Sequence, residues 1–115
     1  MHVGSLIIPV LNEGGNIENV LRPLQPLRQR GWSIVVVDGG SADDTFQKSR
    51  PLANEVLTSP PGRAKQMNAG AAEASGDVLV FLHADPVLPT NFESQIQKFI
   101  NSNHQGGRFE VTLAG

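Results

Sequence analysis

The 115-residue chain contains no cysteine, which excludes a disulfide framework and a thiolate metal site and fits a reducing compartment. No run approaches the roughly 20 apolar residues that span a bilayer. The start, Met1-His2-Val3-Gly4-Ser5, lacks the basic region and long apolar region of a signal peptide. The expectation is a cytoplasmic protein with no transmembrane segment. Charge is scarce as well. Charged residues make up 17% of the chain and the net charge is -2, so no global basic field draws it to nucleic acid or anionic lipid. An anionic ligand must be held by local donors. Internal repeats, low-complexity tracts and charge runs are absent, and 39% hydrophobic residues at this length suit one compact domain.

What is present is a rhythm of strands and helices. Leu6-Ile7-Ile8-Pro9-Val10-Leu11, Ile34-Val35-Val36-Val37 and Val78-Leu79-Val80-Phe81-Leu82 are continuous apolar runs rather than alternating ones. Such runs mark strands buried on both faces in a parallel sheet. Glu55-Val56-Leu57-Thr58 is a weaker strand between the second run and the third. Residues 16–30 carry Ile17, Val20, Leu21, Leu24 and Leu27 on one helical stripe, with a kink or break expected near Pro23. Residues 41–50 form a helix opening with Ser41 and Asp43-Asp44 as capping and first-turn residues and stopping at Pro51. Residues 63–75 are rich in alanine and end at Gly76, and residues 91–101 carry Phe92, Ile96, Phe99 and Ile100 on one face. The alternation predicts right-handed crossovers and a doubly wound, three-layer α/β sheet. Residues 106–113 alternate and read as one more strand, whose pairing partner the sequence does not show.

In open α/β sheets ligands bind outside the carboxyl ends of the strands. Each strand here runs into a polar loop: Asn12-Glu13-Gly14-Gly15, Asp38-Gly39-Gly40-Ser41, Ser59-Pro60-Pro61-Gly62-Arg63 and His83-Ala84-Asp85. Taken singly, Asn12-Glu13 reads as a cap of the first helix, and Arg63 and Lys65 read as solvated surface charges. Asp38-Gly39-Gly40-Ser41 reads equally as a turn with a helix cap or as a ligand loop. His83 and Asp85, two apart after five apolar residues, point the same way off a strand end. A buried strand seldom ends in two such groups unless they are partnered or bind something.

Together the motifs carry more than each alone. Leu6-Ile7-Ile8-Pro9-Val10-Leu11-Asn12-Glu13, Val35-Val36-Val37-Asp38-Gly39-Gly40-Ser41-Ala42-Asp43-Asp44-Thr45, Gly62-Arg63-Ala64-Lys65-Gln66-Met67-Asn68-Ala69-Gly70 and Phe81-Leu82-His83-Ala84-Asp85 resemble the family 2 glycosyltransferases of GT-A type in order and spacing. The likeness covers essentially the whole chain, and the last two segments resemble a bacterial subgroup of small, soluble members. It implies a Rossmann-like, three-layer α/β/α GT-A fold, with a nucleotide-binding half followed by an acceptor-binding half. It also implies transfer of a sugar from a nucleotide diphosphate to an acceptor, usually with inversion.

The same resemblance implies roles for single residues. Pro9, Asn12 and Glu13 would line the nucleoside pocket, with Glu13 near the base or ribose, and Asp38 would accept hydrogen bonds from the nucleoside. Gly39 stands where the common Asp-Asp-Gly-Ser pattern has a second Asp, so the base contact of that carboxylate is absent. Arg63 and Lys65 would face the diphosphate, and Asn68 would buttress their helix against the nucleotide loop. His83-Ala84-Asp85 takes the place of the Asp-x-Asp metal motif, with Asp85 ligating Mg²⁺ or Mn²⁺ between the two phosphates. His83 is either a ligand that favours Mn²⁺ or a group that orients Asp85 or a phosphate. Inverting transfer needs a general base, which this family supplies from its later half. After Asp85 the chain offers Glu93 and Glu110, and neither stands in a matching motif. The expectation is therefore a truncated GT-A domain, with residues 1–115 as the donor-binding half and the acceptor half absent.

Two other readings compete. One is a non-catalytic α/β binding or assembly module that pairs, or self-associates, through the strand at residues 108–113, because an open sheet edge invites pairing. The other is a Rossmann-type oxidoreductase, which needs a Gly-x-Gly-x-x-Gly directly after the first strand and an acidic residue ending the second. Asp38 meets the second condition, and Asn12-Glu13-Gly14-Gly15-Asn16 does not meet the first.

Overall fold

The computed structural model describes residues 4–74, 78–82 and 112–113. The elements run β1 (Gly4–Val10), α1 (Ile17–Leu21), α2 (Gln25–Gln29), β2 (Trp32–Asp38), α3 (Thr45–Ser49), β3 (Glu55–Thr58), α4 (Arg63–Glu73), β4 (Val78–Leu82) and β5 (Thr112–Leu113). All strands are parallel, in the order β3-β2-β1-β4-β5. The predicted helix at residues 91–101, its four apolar residues, and Gly76 lie outside the described residues.

Continuous apolar runs form the central strands because both faces of the sheet are covered. Leu6, Ile8, Val10, Ile34, Val36 and Val80 point to one face and pack against Ile17, Val20, Leu21, Leu24 and Leu27. Ile7, Val35, Val37 and Leu79 point to the other and meet Met67, Ala69 and Ala71 of α4. Side chains alternate along a strand, so a run that is apolar at every position feeds two cores at once. The result is the expected helix–sheet–helix layering.

The connections explain which helix goes where. From β1 through β3 the chain moves outward along the sheet, and it then returns past β1 to β4. Right-handed crossovers in opposite directions put their helices on opposite faces, so α4 lies across the sheet from α1 and α2. This reversal places a topological switch point between β1 and β4, where such sheets open a crevice at the carboxyl ends of the strands.

The long helix predicted at residues 16–30 is interrupted, as Pro23 suggested. α1 and α2 are joined by a 3-10 turn, Arg22–Leu24, and Pro26 sits in the first turn of α2. Proline tolerates a first turn because its missing N–H would go unpaired there. The apolar stripe survives the break: Ile17, Val20, Leu21, Leu24 and Leu27 all stay buried. The helix expected from Ser41 begins only at Thr45, and the one expected to reach residue 75 ends at Glu73 with Ala74 extended. The strand read at residues 106–113 is described only at Thr112 and Leu113, which pair inside the chain with Phe81 and Leu82 of β4. No helix among the described residues is long and apolar enough to cross a membrane.

One close approach sets the height of α4 above the sheet. A Cβ at Gly70 would stand 2.5 Å from Cγ2 of Ile7 and 2.9 Å from Cγ2 of Val37, methyl groups that are themselves fully buried. Gly70→Ala gains about 1 kcal/mol of helix propensity but overpacks this contact, which costs about 1–3 kcal/mol. The substitution is expected to lower the urea midpoint despite the better helix former, and an unchanged or raised midpoint would contradict this packing.

Candidate functional site

The carboxyl ends of β1, β2 and β3 lie level. Val10 pairs with Asp38, and Asp38 pairs with Thr58. One further rung, Gly39 N–H to the Val10 carbonyl at 3.0 Å, extends the β1–β2 ladder. Beyond it the strands give way to loops that bond to one another through side chains. The Asn12 N–H donates to Ser41 Oγ at 2.7 Å, and Asn12 Oδ1 accepts from the Ala42 N–H at 2.8 Å. The Glu13 N–H donates to Thr45 Oγ1 at 2.8 Å, the Gly14 N–H to Asp43 Oδ2 at 3.0 Å, and Lys48 Nζ to the Gly14 carbonyl at 2.9 Å. Asn12 adopts a positive φ of 53°, a region that asparagine enters more readily than most residues. That backbone turn is what lets its amide and side chain face Ser41 and Ala42 together.

This seam revises the capping roles read from sequence. α1 is opened by the Glu13 carbonyl, which accepts from the N–H groups of Asn16 and Ile17. Asn12 caps nothing and bonds across to the second loop instead. Ser41 and Asp43 likewise bond to the first loop, which is why α3 starts four residues later than expected. Asp43 Oδ1 also accepts from the Thr45 N–H at 3.0 Å and makes a very short contact with the Thr45 hydroxyl. That hydroxyl, followed by the N–H groups of Thr45 and Gly14, holds the Asp43 carboxyl below its ordinary value of 3.8, with desolvation opposing.

Asp38 sits beneath the seam, 2% exposed. Its Oδ1 accepts from the Gly40 N–H at 3.0 Å and the Ser41 N–H at 2.7 Å, and neither bond uses Oδ2. The Asp38 carbonyl accepts from Ser59 N–H at 2.9 Å, which brings the loop after β3 into the same cluster. Pro9 pairs with Val37 within the ladder and is half-buried, as is Glu13. Pro9, Asn12, Glu13, Asp38 and Gly39 are thus gathered at one edge.

Arg63 and Lys65 lie exposed on the first turn of α4. Asn68 is exposed too, and the buttress expected of it is made by Gln66, two residues earlier. Gln66 is 5% exposed, and its Nε2 donates to the Val10 carbonyl at 2.8 Å and the Val37 carbonyl at 2.9 Å. The physical reason is helical phase: Gln66 and Gly70, four apart, face the sheet, while Asn68 lies about 200° around from Gln66. The structural roles of Gln66, Thr45 and Lys48 were missed from sequence. For Gln66 a signal existed, a polar side chain on the same stripe as a glycine and the small apolar residues of α4. His83, Asp85, Glu93 and Glu110 lie outside the described residues. Among the described residues no group of three or more His, Cys, Asp or Glu is placed to hold a metal ion.

The model of the family described as Glycosyl transferase family 2 matches residues 5–110. Glucosyl-3-phosphoglycerate synthase of Mycobacterium tuberculosis is 32% identical over 95 residues, covering 74% of this chain and 29% of that protein. Dolichol-phosphate mannosyltransferase of Pyrococcus furiosus is 35% identical over 88 residues, covering 70% of this chain and 25% of that protein. The chain therefore spans less than a third of the length of these relatives. Among solved structures, the mycobacterial synthase in complex with Mn²⁺, uridine diphosphate and glucosyl-3-phosphoglycerate superimposes with a TM-score of 0.71 at 26% identity, over 89% of this chain and 39% of that one. S. aureus TarS 1-349 gives a TM-score of 0.72 at 27% identity, over 90% and 33%.

Two outcomes test the seam. Thr45→Val keeps the shape of the side chain but strips the Glu13 N–H of its acceptor, and it is expected to lower stability by about 1–3 kcal/mol in urea unfolding. Acid titration tests Asp43. A carboxyl whose folded value is depressed stabilises the fold above its ordinary value and loses that contribution as pH falls through the folded one. The stability difference between wild type and Asp43→Ala should therefore be constant near neutrality and close as pH drops below about 4. A difference independent of pH would rule out the Asp43 bonds to Thr45 and Gly14 as its source.

Proposed function

The chain belongs to glycosyl transferase family 2, and from that premise we propose that its strand-end loops bind the nucleoside diphosphate of an activated sugar for transfer to an acceptor. The observation that carries this reading is the seam itself. The loops after β1 and β2, at the carboxyl edge of a parallel sheet, are locked together by their own side chains, leaving a polar edge with the buried side chain of Asp38 beneath it. A preorganised polar edge binds a polar ligand without first ordering itself.

The residues divide by what their atoms already do. Asn12 shapes the pocket wall, since its side-chain oxygen is taken by Ala42. Glu13 and Asp38 Oδ2 are acceptors for nucleoside N–H and O–H groups, and Pro9 and Gly39 form the apolar floor beside them. Arg63 and Lys65 supply cations for the diphosphate at the amino end of α4, where the helix dipole favours an anion. In the transfer, an acceptor hydroxyl oxygen bonds to the anomeric carbon while the bond from that carbon to the diphosphate oxygen breaks. The electron pair leaves with the diphosphate and the hydroxyl proton passes to a general base, a role assigned to none of the described residues.

A divalent cation fits the donor set of the final motif. One carboxylate, Asp85, and one imidazole, His83, together with phosphate oxygens, suit Mn²⁺ or Mg²⁺, which keep few protein ligands when they bind nucleotides. Bound there, the cation would neutralise charge on the departing diphosphate. Mn²⁺ accompanies uridine diphosphate in the mycobacterial synthase structure.

Ligand binding to the folded state raises its stability by mass action. At a hundredfold excess over Kd, UDP or GDP with Mn²⁺ should raise Tm by on the order of 10 °C. No shift with any nucleoside diphosphate, with or without Mn²⁺, would sink the donor-binding reading. Asp38→Asn retains an oxygen for the Gly40 and Ser41 N–H groups but replaces Oδ2 with a donor. It should stay folded and weaken nucleotide binding roughly tenfold, about 1.4 kcal/mol, by calorimetric titration.

A further inference from the structure

The first turn of α4 carries the cations proposed for the diphosphate, while Asp38 sits at the end of β2. What holds the one against the other is the carboxamide of Gln66. Its single nitrogen donates to two carbonyls on the β1–β2 seam, Val10 and Val37. Its oxygen faces the Gly62 N–H at 3.4 Å, at the entry to α4. Few side chains fit that demand while buried. Glutamate and methionine offer no such pair of N–H groups, and lysine would bring a buried charge. Glutamine supplies two N–H groups on one atom and an acceptor beside them.

The residue facing this carboxamide is Gly39. A Cβ built at Gly39 would lie 2.9 Å from Gln66 Cδ, 3.0 Å from Nε2 and 3.0 Å from Oε1. The carboxamide is pinned by its hydrogen bonds, so it cannot swing away without losing them. A Cβ at position 39 therefore requires this carboxamide to shift, at the expense of those bonds.

We propose that Gln66 is the positioning residue of the donor site, setting Arg63 and Lys65 in register with Asp38, and that position 39 is glycine because Gln66 occupies the space above it. The proposal rests on the donor-binding reading for its functional half. Its steric half, the conflict between a Cβ at residue 39 and the bonded Gln66 carboxamide, stands independently. It also gives a physical reason for the departure from the Asp-Asp-Gly-Ser pattern: a second carboxylate at 39 would displace the group that ties α4 to the sheet.

The test uses the full chain, urea unfolding, and calorimetric titration with UDP and GDP in Mn²⁺, with affinities corrected to the folded fraction. Gln66→Met preserves length and loses the N–H donors, and its folded fraction is expected to bind at least about tenfold more weakly. A glutamine that served stability alone would leave that corrected affinity unchanged, and this result overturns the proposal. Gly39→Ala reads the same contact from the other side. It should lower both stability and affinity in wild type and do so far less in a Gln66→Ala background, because the clash has been removed. Equal costs of Gly39→Ala in the two backgrounds overturn the steric half, and unchanged affinity in Gly39→Ala alone overturns the functional half even if the Gln66 variants do not fold. A wild-type chain that binds neither nucleotide overturns the donor-site reading itself, and with it the functional half. Normal wild-type binding that Gln66→Met leaves intact overturns this proposal alone.

Discussion

The parallel pairing of β1 with β2, buried on both faces, is the constraint from which the site follows. Seven residues of each strand are in register, from Gly4 opposite Trp32 to Val10 opposite Asp38. Their side chains feed two separate cores, so neither strand can slip by one position without exchanging the faces of every residue. The pairing therefore fixes, to within a rung, where each chain leaves the sheet. It delivers Asn12 and Ser41, Glu13 and Thr45, and Gly14 and Asp43 to hydrogen-bonding distance of one another.

Where the sheet ends, backbone groups lose their ladder partners, and each buried one left unpaired would cost about 1–3 kcal/mol. The chain meets this cost with side chains drawn from the facing loop. Ser41, Thr45 and Asp43 accept the N–H groups of residues 12–14, and Lys48 donates to the Gly14 carbonyl. On the opposite face of the sheet Gln66 donates to carbonyls at the same level. Asn12, Gln66 and Oδ1 of Asp38 are thereby committed to building the edge itself.

The membership of glycosyl transferase family 2 sits easily with this architecture. Catalysis of group transfer rests on holding reacting groups in fixed relation, and an edge already bonded to itself supplies a fixed frame. The structural likeness to the mycobacterial synthase and to TarS covers about nine-tenths of this chain and a third to two-fifths of theirs.

Much of the fold was legible in the residue order alone. Unbroken runs rich in Val and Ile, bounded by turn residues, point to doubly covered strands, and the stripe from Ile17 to Leu27 points to a helix with one buried face, broken at Pro23 or not. The family motifs stood out as well, because their glycines and acids cluster at strand ends. The partners of those polar residues were not legible. Asn12 looked like a helix cap because capping is a local pattern, while its actual bonds, like that of Asp43 to Gly14, span about 30 residues of sequence. Asn68 and Gln66 are both polar residues on one helix, and only the phase of α4 against the sheet decided that Gln66 is the buried one. Local propensity and periodicity are written along the chain; which polar atom meets which is settled by three-dimensional register, and that exists only once β1, β2 and α4 have packed.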